Sequence, residues 1–188
     1  MAPTTLPPIT SLPSLSENEI FGVLDLLFEP TSELRSLALP LIRSSSYFSY
    51  PDLISAIRTK LLEIVEQGTE TPKLHEILGS HPRLGQPKQK SAEEEELSEQ
   101  SKQEQKQLRE GDQKEAERLA ELNELYEQKF PGLRYVVFVN GRGRGEIMEN
   151  MEGRIARGDL REEEREGVRA MCDIANDRAK KLLAASTN

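Results

Sequence analysis

The chain has 188 residues, of which 36% are hydrophobic and 31% are charged, and this composition suits one compact domain with a hydrophobic core. Thirty-three acidic residues against 25 basic residues give a formal net charge of −8, which argues against nucleic acid or an anionic membrane as the main partner. A single cysteine excludes an internal disulfide, and no stretch reaches the roughly 20 apolar residues of a membrane helix. His75 and His81 are the only histidines, so histidine chemistry has few places to occur.

Neither end of the chain carries a recognisable targeting signal. The N-terminal residues lack the basic region and the long apolar core of a secretory signal, and the C-terminus is not Ser-Lys-Leu. The absence of these signals favours a cytoplasmic location. Import into the peroxisome by another route stays open.

The first 15 residues are predicted to form an extended arm. Leu6, Ile9 and Leu12 offer apolar side chains that could dock this arm on the body. Four prolines oppose a helix there, namely Pro3, Pro7, Pro8 and Pro13. Helical patterns begin at Ser16, so one domain is predicted over residues 16–188.

Seven helices are predicted from apolar spacing and from start and stop signals. Ser16 and Glu19 form a capping-box pattern at the first helix, and Pro30 ends it. Pro40 is expected to interrupt or bend the second helix. The predicted spans are 16–29, 32–43, 51–68, 71–78, 116–130, the stretch from the turn at 141–145 to 157, and 160–184.

Two stretches depart from this helical pattern. Residues 86–118 are almost entirely polar, and their first part, 86–100, is interpreted as a mobile insertion or an exposed helix. Residues 135–139 are the one run typical of extended backbone, and no second run offers a partner strand. The predicted fold is therefore all-α, a single helical bundle of about seven helices with one short extended segment lining the site.

His81 is the best single candidate for chemistry. It follows the predicted helix end at Gly79 and precedes Pro82, which disfavours helical backbone at His81 and so fixes the direction of the ring. An imidazole held in this way can transfer protons near neutral pH. The alternative is an ordinary surface or capping histidine.

A carboxylate and a guanidinium are the other candidates. If the polar stretch is helical, Ser101 and Glu104 lie on the stripe bounded by Leu97 and Leu108. A carboxylate that faces a core either forms a pair with another side chain or has a functional role. Otherwise the stretch is simply solvated. Arg178 lies at the edge of the apolar stripe of the last helix, where it could hold a carboxylate in a bidentate pair or extend to solvent.

Other chemical patterns are weak. The glycine-rich turn at 141–145 is not a phosphate-binding loop, because no Gly-Lys-Ser/Thr follows it. Cys172 lies on an apolar stripe and is interpreted as a core residue. No cluster of histidines, cysteine and carboxylates has metal-ligand spacing, so no metal site is predicted.

Four motifs in order resemble the OHCU decarboxylase family, which acts in urate breakdown. Residues 80–85 are similar to its His-Pro-x-Leu-Gly/Ala motif, and residues 101–105 to its Ser-x-x-Glu-Gln motif. Residues 122–130 resemble Leu-Asn-x-x-Tyr-x-x-x-Phe, and the run 135–139 and the helix of Arg178 follow in the same order. The likeness covers most of the chain after the arm.

The resemblance implies an all-α, cofactor-free, usually homodimeric enzyme with a small-molecule substrate. That substrate is 2-oxo-4-hydroxy-4-carboxy-5-ureidoimidazoline (OHCU), and the products are (S)-allantoin and carbon dioxide. The resemblance also implies a role for each matching position.

By this resemblance, His81 and Glu104 are catalytic, Pro82 shapes the loop of the histidine, and Arg178 is the anion partner. The remaining implied substrate contacts are Ser101, Lys102, Gln103 and Gln105, together with the backbone of Tyr135, Val136, Val137, Phe138 and Val139. The N–H and C=O groups of that backbone run are expected to be free for the ligand. Residues 98–100, Ser-Glu-Gln, are the alternative to Ser101, which is preferred because its Glu-Gln comes three residues later.

Two competing functions stay open on the sequence. One is a non-catalytic helical adaptor that engages a partner through its acidic helix, and this predicts no turnover. The other is a hydrolase of a neighbouring ureide such as 5-hydroxyisourate, which would need an activated water.

Overall fold

The computed structural model describes residues 5–85 and 113–185, and over these residues it confirms the predicted all-α fold. The predicted helices are all present, with ends close to the predicted ones, and no strand forms within the described ranges. The α-helices are Glu17–Leu27 (α1), Ser32–Ser44 (α2), Tyr50–Gln67 (α3), Thr71–Gly79 (α4), Gln113–Lys129 (α5), Arg144–Arg157 (α6) and Leu160–Ala185 (α7).

Local capping signals fix several of these ends as the sequence predicts. The Ser16 side chain accepts a hydrogen bond from the Glu19 N–H, and the Ser16 N–H donates to Glu19 Oε2 at 2.8 Å, which completes the capping box of α1. Gly68 ends α3 with a left-handed backbone, φ 63°, a conformation that glycine adopts without a Cβ clash.

The N-terminal arm differs from the prediction between Ile9 and Ser14, which form a 3₁₀ helix instead of extended backbone. Such a turn needs only a few i→i+3 hydrogen bonds, so it tolerates the missing N–H of Pro13 inside it. Leu12 is buried, and the Tyr50 hydroxyl donates to the Pro7 carbonyl at 2.8 Å. The arm is therefore docked on the body through leucine, as the sequence suggested.

Helix α2 runs without interruption through Pro40, so the predicted interruption does not occur, and the alternative of a bend stays a prediction. Proline removes one N–H donor from the helix, and the buried stripe of Leu34, Ala38 and Ile42 packs the helix on both sides of that position. Tertiary packing here outweighs the local preference of proline.

Helix α7 is the central helix of the bundle. It packs along α3 and also touches α1 and α4, while α6 packs on α5. Val168, Met171, Cys172 and Ala175 are buried along its inner face, which confirms Cys172 as a core residue. Burial of large apolar side chains stabilises the fold by about 1.5–3 kcal/mol each. The same helix carries Arg178 toward the site.

The predicted extended run lies between α5 and α6. Tyr135, Val136 and Val137 are buried there, although no neighbouring strand pairs with them in the described part of the chain. Within residues 5–85 and 113–185, no helix combines the length and apolar character required to cross a bilayer.

Replacement of Gly79 by alanine is expected to destabilise the junction that leads into the His81 loop. A Cβ at Gly79 would lie 2.9 Å from the backbone carbonyl oxygen of Gly132, which cannot rotate away. We expect G79A to lower the free energy of unfolding by about 1–3 kcal/mol, measured by urea denaturation.

Gly145 provides the matched control, because no atom lies within 4 Å of a Cβ built there. G145A in α6 should keep or raise stability by up to about 1 kcal/mol. Equal stability of G79A and the unaltered protein would contradict this close approach.

Candidate active site

A cavity of about 210 Å³ lies between the loop after α4, the run before α6 and the C-terminal half of α7. This size suits a small metabolite rather than a large ligand. The described lining residues come from these three elements: His81, Pro82, Leu84, Tyr135, Val136, Val137, Phe138, Val139, Asn140, Gly141, Ile174, Asp177 and Lys181.

His81 lies in the wall of this cavity with only 7% of its surface exposed. Its Nδ1 atom is buried and has no hydrogen-bond partner among the described residues. Burial lowers the pKa of His81 to about 4; nearby Glu29 opposes this shift and Arg178 adds to it. The imidazole is therefore neutral at pH 7 and can accept a proton.

Glu29 and Arg178 form an ion pair that is buried on both sides. Arg178 donates to Glu29 Oε1 at 2.9 Å, and both side chains are 1% exposed. Arg178 also donates to the Leu27 carbonyl at 3.2 Å, at the end of α1. The charges of both partners act on the His81 ring, so the pair lies within electrostatic range of the imidazole. Arg178 is not among the described residues that line the cavity.

The run 135–139 lines the cavity, and three of its five backbone carbonyls accept hydrogen bonds from arginines. Val136 O accepts from Arg154 at 2.9 Å, and Arg142 donates to Phe138 O and Val139 O. None of the N–H groups of this run donates to another described residue. The expectation that its C=O groups are free for a ligand is therefore wrong for these three carbonyls, and the expectation that its N–H groups are free stays a prediction.

An Asn-Gly turn ends the run. Asn140 and Gly141 both have positive φ, at 44° and 76°, and the Arg142 N–H donates to Val139 O at 2.9 Å to close the turn. The Asn-Gly dipeptide is the sequence signal for such a backbone. The turn leads into α6, so it marks the end of the part of the cavity wall that the run forms.

Helix α7 contributes a charged pair to the lining. Lys181 Nζ lies 2.7 Å from Asp177 Oδ2, and the Lys181 side chain is 64% exposed. Ile174 lies one turn before Asp177 on the same face of the helix. These residues place both a cation and a carboxylate at the solvent side of the cavity.

The structure brings part of the predicted constellation together. His81, Pro82 and the run 135–139 line one cavity, and Arg178 lies within electrostatic range of His81 in the pair with Glu29. The predicted residues Ser101, Lys102, Gln103, Glu104 and Gln105 lie outside the described residues, as do the alternative at 98–100 and the polar stretch 86–112.

Several residues at the site were missed by sequence reasoning. Glu29 follows the apolar run of α1 and gives no local sign of a partner 149 positions away. Leu84, Asn140 and Gly141 were also missed, although the Asn-Gly pair marks a turn. Ile174, Asp177 and Lys181 share helical spacing with Arg178, and this pattern could have identified their face of α7. No group of three or more His, Cys, Asp or Glu side chains in the described ranges is placed to hold a metal ion.

The family model for OHCU decarboxylase matches residues 13–180, which is most of the chain. The chain belongs to the OHCU decarboxylase family. Members of this family are carboxy-lyases of urate degradation, and this agrees with the resemblance found in the motifs. Comparison with curated proteins yields no match.

The buried histidine makes stability depend on pH. Its pKa of about 4 lies below the ordinary 6.5, so as the pH falls below 6.5 the unfolded chain takes up the proton before the folded protein does. The contribution of His81 to the free energy of unfolding is thus fully present above pH 6.5. It declines as the pH falls toward 4, and it does not change further below pH 4. The expected loss between pH 7 and pH 5 is about 2 kcal/mol.

Urea denaturation of the unaltered protein and of H81Q at pH 7, 6 and 5 measures this contribution. The difference between their two pH slopes isolates His81 from the acidic residues that both proteins share. Parallel slopes would contradict a neutral, buried imidazole.

Proposed function

We propose that this protein catalyses the cofactor-independent decarboxylation of OHCU to (S)-allantoin and carbon dioxide. Membership of the family supports a carboxy-lyase of urate degradation. The observation that carries the specific proposal is the neutral imidazole of His81 in the wall of a small cavity, within electrostatic range of the buried pair of Glu29 and Arg178.

The chemistry needs an acceptor for electrons and a carrier for one proton. The bond to the carboxylate breaks, carbon dioxide leaves, and the electron pair of that bond moves into the ring as the adjacent C=N bond shifts its own pair to nitrogen. That nitrogen takes one proton from solvent, which balances the lost carboxylate charge. His81 removes the proton of the ring hydroxyl and, as protonated His81, delivers it to the ring carbon that becomes the stereocentre. The hydroxyl oxygen becomes a carbonyl in this last step, when the ring C=C bond supplies the electron pair for the new C–H bond.

The burial of His81 suits this role. A neutral imidazole is the form that accepts a proton, and the low pKa keeps His81 in this form at pH 7. Once protonated, the imidazolium is a strong acid in a poorly solvated place and readily returns the proton. The neighbouring Glu29 carboxylate stabilises the charged form while it exists.

The substrate contacts follow the predicted constellation. The N–H groups of the run 135–139, none of which donates to another described residue, are proposed to bind acceptor oxygens of the anionic substrate. Arg178 is the proposed anion partner, and its pairing with Glu29 fixes the orientation of the guanidinium. Glu104 is proposed to hold the hydroxyl or ureido group and to tune the histidine. The other proposed contacts are Pro82, Ser101, Lys102, Gln103 and Gln105.

Assembly as a homodimer and residence in the cytoplasm belong to the same proposal.

Loss of His81 is expected to abolish most turnover. H81A removes the proton carrier and should lower kcat by a factor of about 10²–10⁴. The assay supplies freshly prepared OHCU and follows the formation of chiral allantoin by circular dichroism. An adaptor would give no turnover with the unaltered protein, and a hydrolase would instead consume 5-hydroxyisourate.

His75 supplies the matched control, since its Nε2 pairs with Glu164 at 2.7 Å and it does not line the cavity. H75Q should retain kcat within about twofold, because general acid–base assistance is lost only with the catalytic group. An H81A enzyme that forms (S)-allantoin at the normal rate would refute the histidine role.

Replacement of Glu104 by glutamine should also reduce kcat strongly, by a factor of about 10² or more, while the fold stays intact. E99Q is the matched control, because Glu99 belongs to the alternative motif at 98–100. Loss of turnover in E99Q with normal turnover in E104Q would move the carboxylate role to the alternative motif.

A further inference from the structure

The cavity-lining run 135–139 is extended backbone without a neighbouring strand in the described part of the chain, so something other than a sheet must hold it in place. We propose that Arg154 is the positioning residue that holds this run in its ligand-binding conformation. The inference rests on the proposed function, because it concerns the wall of the same cavity.

Arg154 contacts the run at two neighbouring residues. Its Nη1 donates to the Val136 carbonyl at 2.9 Å, and its guanidinium carbon lies 4.7 Å from the centroid of the Tyr135 ring. Arg154 is itself 4% exposed, so these contacts are shielded from water. A cation over an aromatic face and a charge-assisted hydrogen bond are both stronger when desolvated.

A buried carboxylate holds the guanidinium of Arg154 in place. Arg154 Nε donates to Glu163 Oε1 at 2.8 Å, and Glu163 is fully buried at the start of α7. The Tyr126 hydroxyl of α5 donates to the same carboxylate at 2.5 Å. Arg154 therefore links α5, α6 and α7 to the cavity wall, and its own position is fixed by this network.

The remaining contact of the run supports the same interpretation. The Tyr135 hydroxyl donates to Asn150 Oδ1 at 2.6 Å, and Asn150 lies one turn before Arg154 on α6. Helix α6 thus holds the ring of Tyr135 and the carbonyl of Val136 from one face. The Arg142 side chain fixes the far end of the run through its carbonyls.

The consequence for binding is a backbone that presents donors. Arginines occupy the carbonyls of Val136, Phe138 and Val139, whereas the N–H groups of the run donate to no other described residue. A row of donors favours a ligand rich in acceptor oxygens, such as a carboxylate or a ureido group. A small displacement of the run would misplace these donors and weaken binding.

Arg154→Lys tests the proposal in the full-length protein. Lysine keeps the positive charge opposite Glu163 but lacks the planar fork that also reaches Val136. We expect KM for OHCU to rise about tenfold and kcat to change less than about threefold, because the run binds the substrate without transferring protons. A purely structural role would lower the melting temperature and leave KM unchanged.

Arg157→Lys is the matched control. Arg157 donates to Glu163 Oε2 at 3.1 Å but makes no contact with the run, so R157K should leave KM unchanged within about twofold. If R154K does not fold, the double variant R154M/E163Q removes both buried charges together and still frees the Val136 carbonyl. It should show the same rise in KM.

Methyl order parameters of Val136 and Val137, measured by NMR, give a readout that is independent of activity. They should fall in R154K and not in R157K. If the unaltered protein does not convert OHCU, the proposed function fails, and these order parameters alone decide the role of Arg154. With an active unaltered protein, an unchanged KM in R154K would overturn the positioning role.

Discussion

The buried ion pair between Glu29 and Arg178 is the interaction on which the site depends. Both side chains are 1% exposed, and loss of one partner from such a pair costs about 3–5 kcal/mol because the other charge is left in the interior. The pair joins the end of α1 to the C-terminal half of α7 and fixes the charges that surround His81. Burial is the main cause of the lowered His81 pKa, and the two charges of this pair, which come from distant parts of the chain, act on that pKa in opposite directions.

A second buried pair contacts the extended run that lines the cavity. Arg154 and Glu163 join α6 to α7, and the same guanidinium reaches the backbone of Val136. The two pairs share α7, which also supplies Ile174 to the cavity lining. Helix α7 carries one residue of each pair, and such fixed surroundings are what the proposed catalysis requires.

Much of the fold could be predicted from local signals in the sequence. The capping box at Ser16 and the glycine at the end of α3 mark helix ends because each satisfies backbone groups locally. The local effect of Pro40 was overestimated, since the apolar stripe of α2 packs through it. The 3₁₀ helix at Ile9–Ser14 was missed, because so short a turn leaves almost no periodicity to detect.

The site was predicted less completely, for a physical reason. His81 could be identified because Pro82 constrains its backbone, and its loop does line the cavity. The partnership of Glu29 with Arg178, and that of Arg154 with Val136, join residues far apart in sequence, and no periodicity encodes such contacts. The hydrogen bond from Arg154 to the Val136 carbonyl could be seen only in the three-dimensional structure. The resemblance to a family supplied the roles that the residue pattern alone left open.

The most direct test of the convergence around this cavity is an NMR titration of the full-length, ¹⁵N-labelled protein with (S)-allantoin. We expect saturable shifts of the backbone N–H signals of residues 135–139 and of the His81 imidazole, with little change on the far side of the bundle. Shifts confined to another surface, or none at these groups with millimolar product, would contradict it.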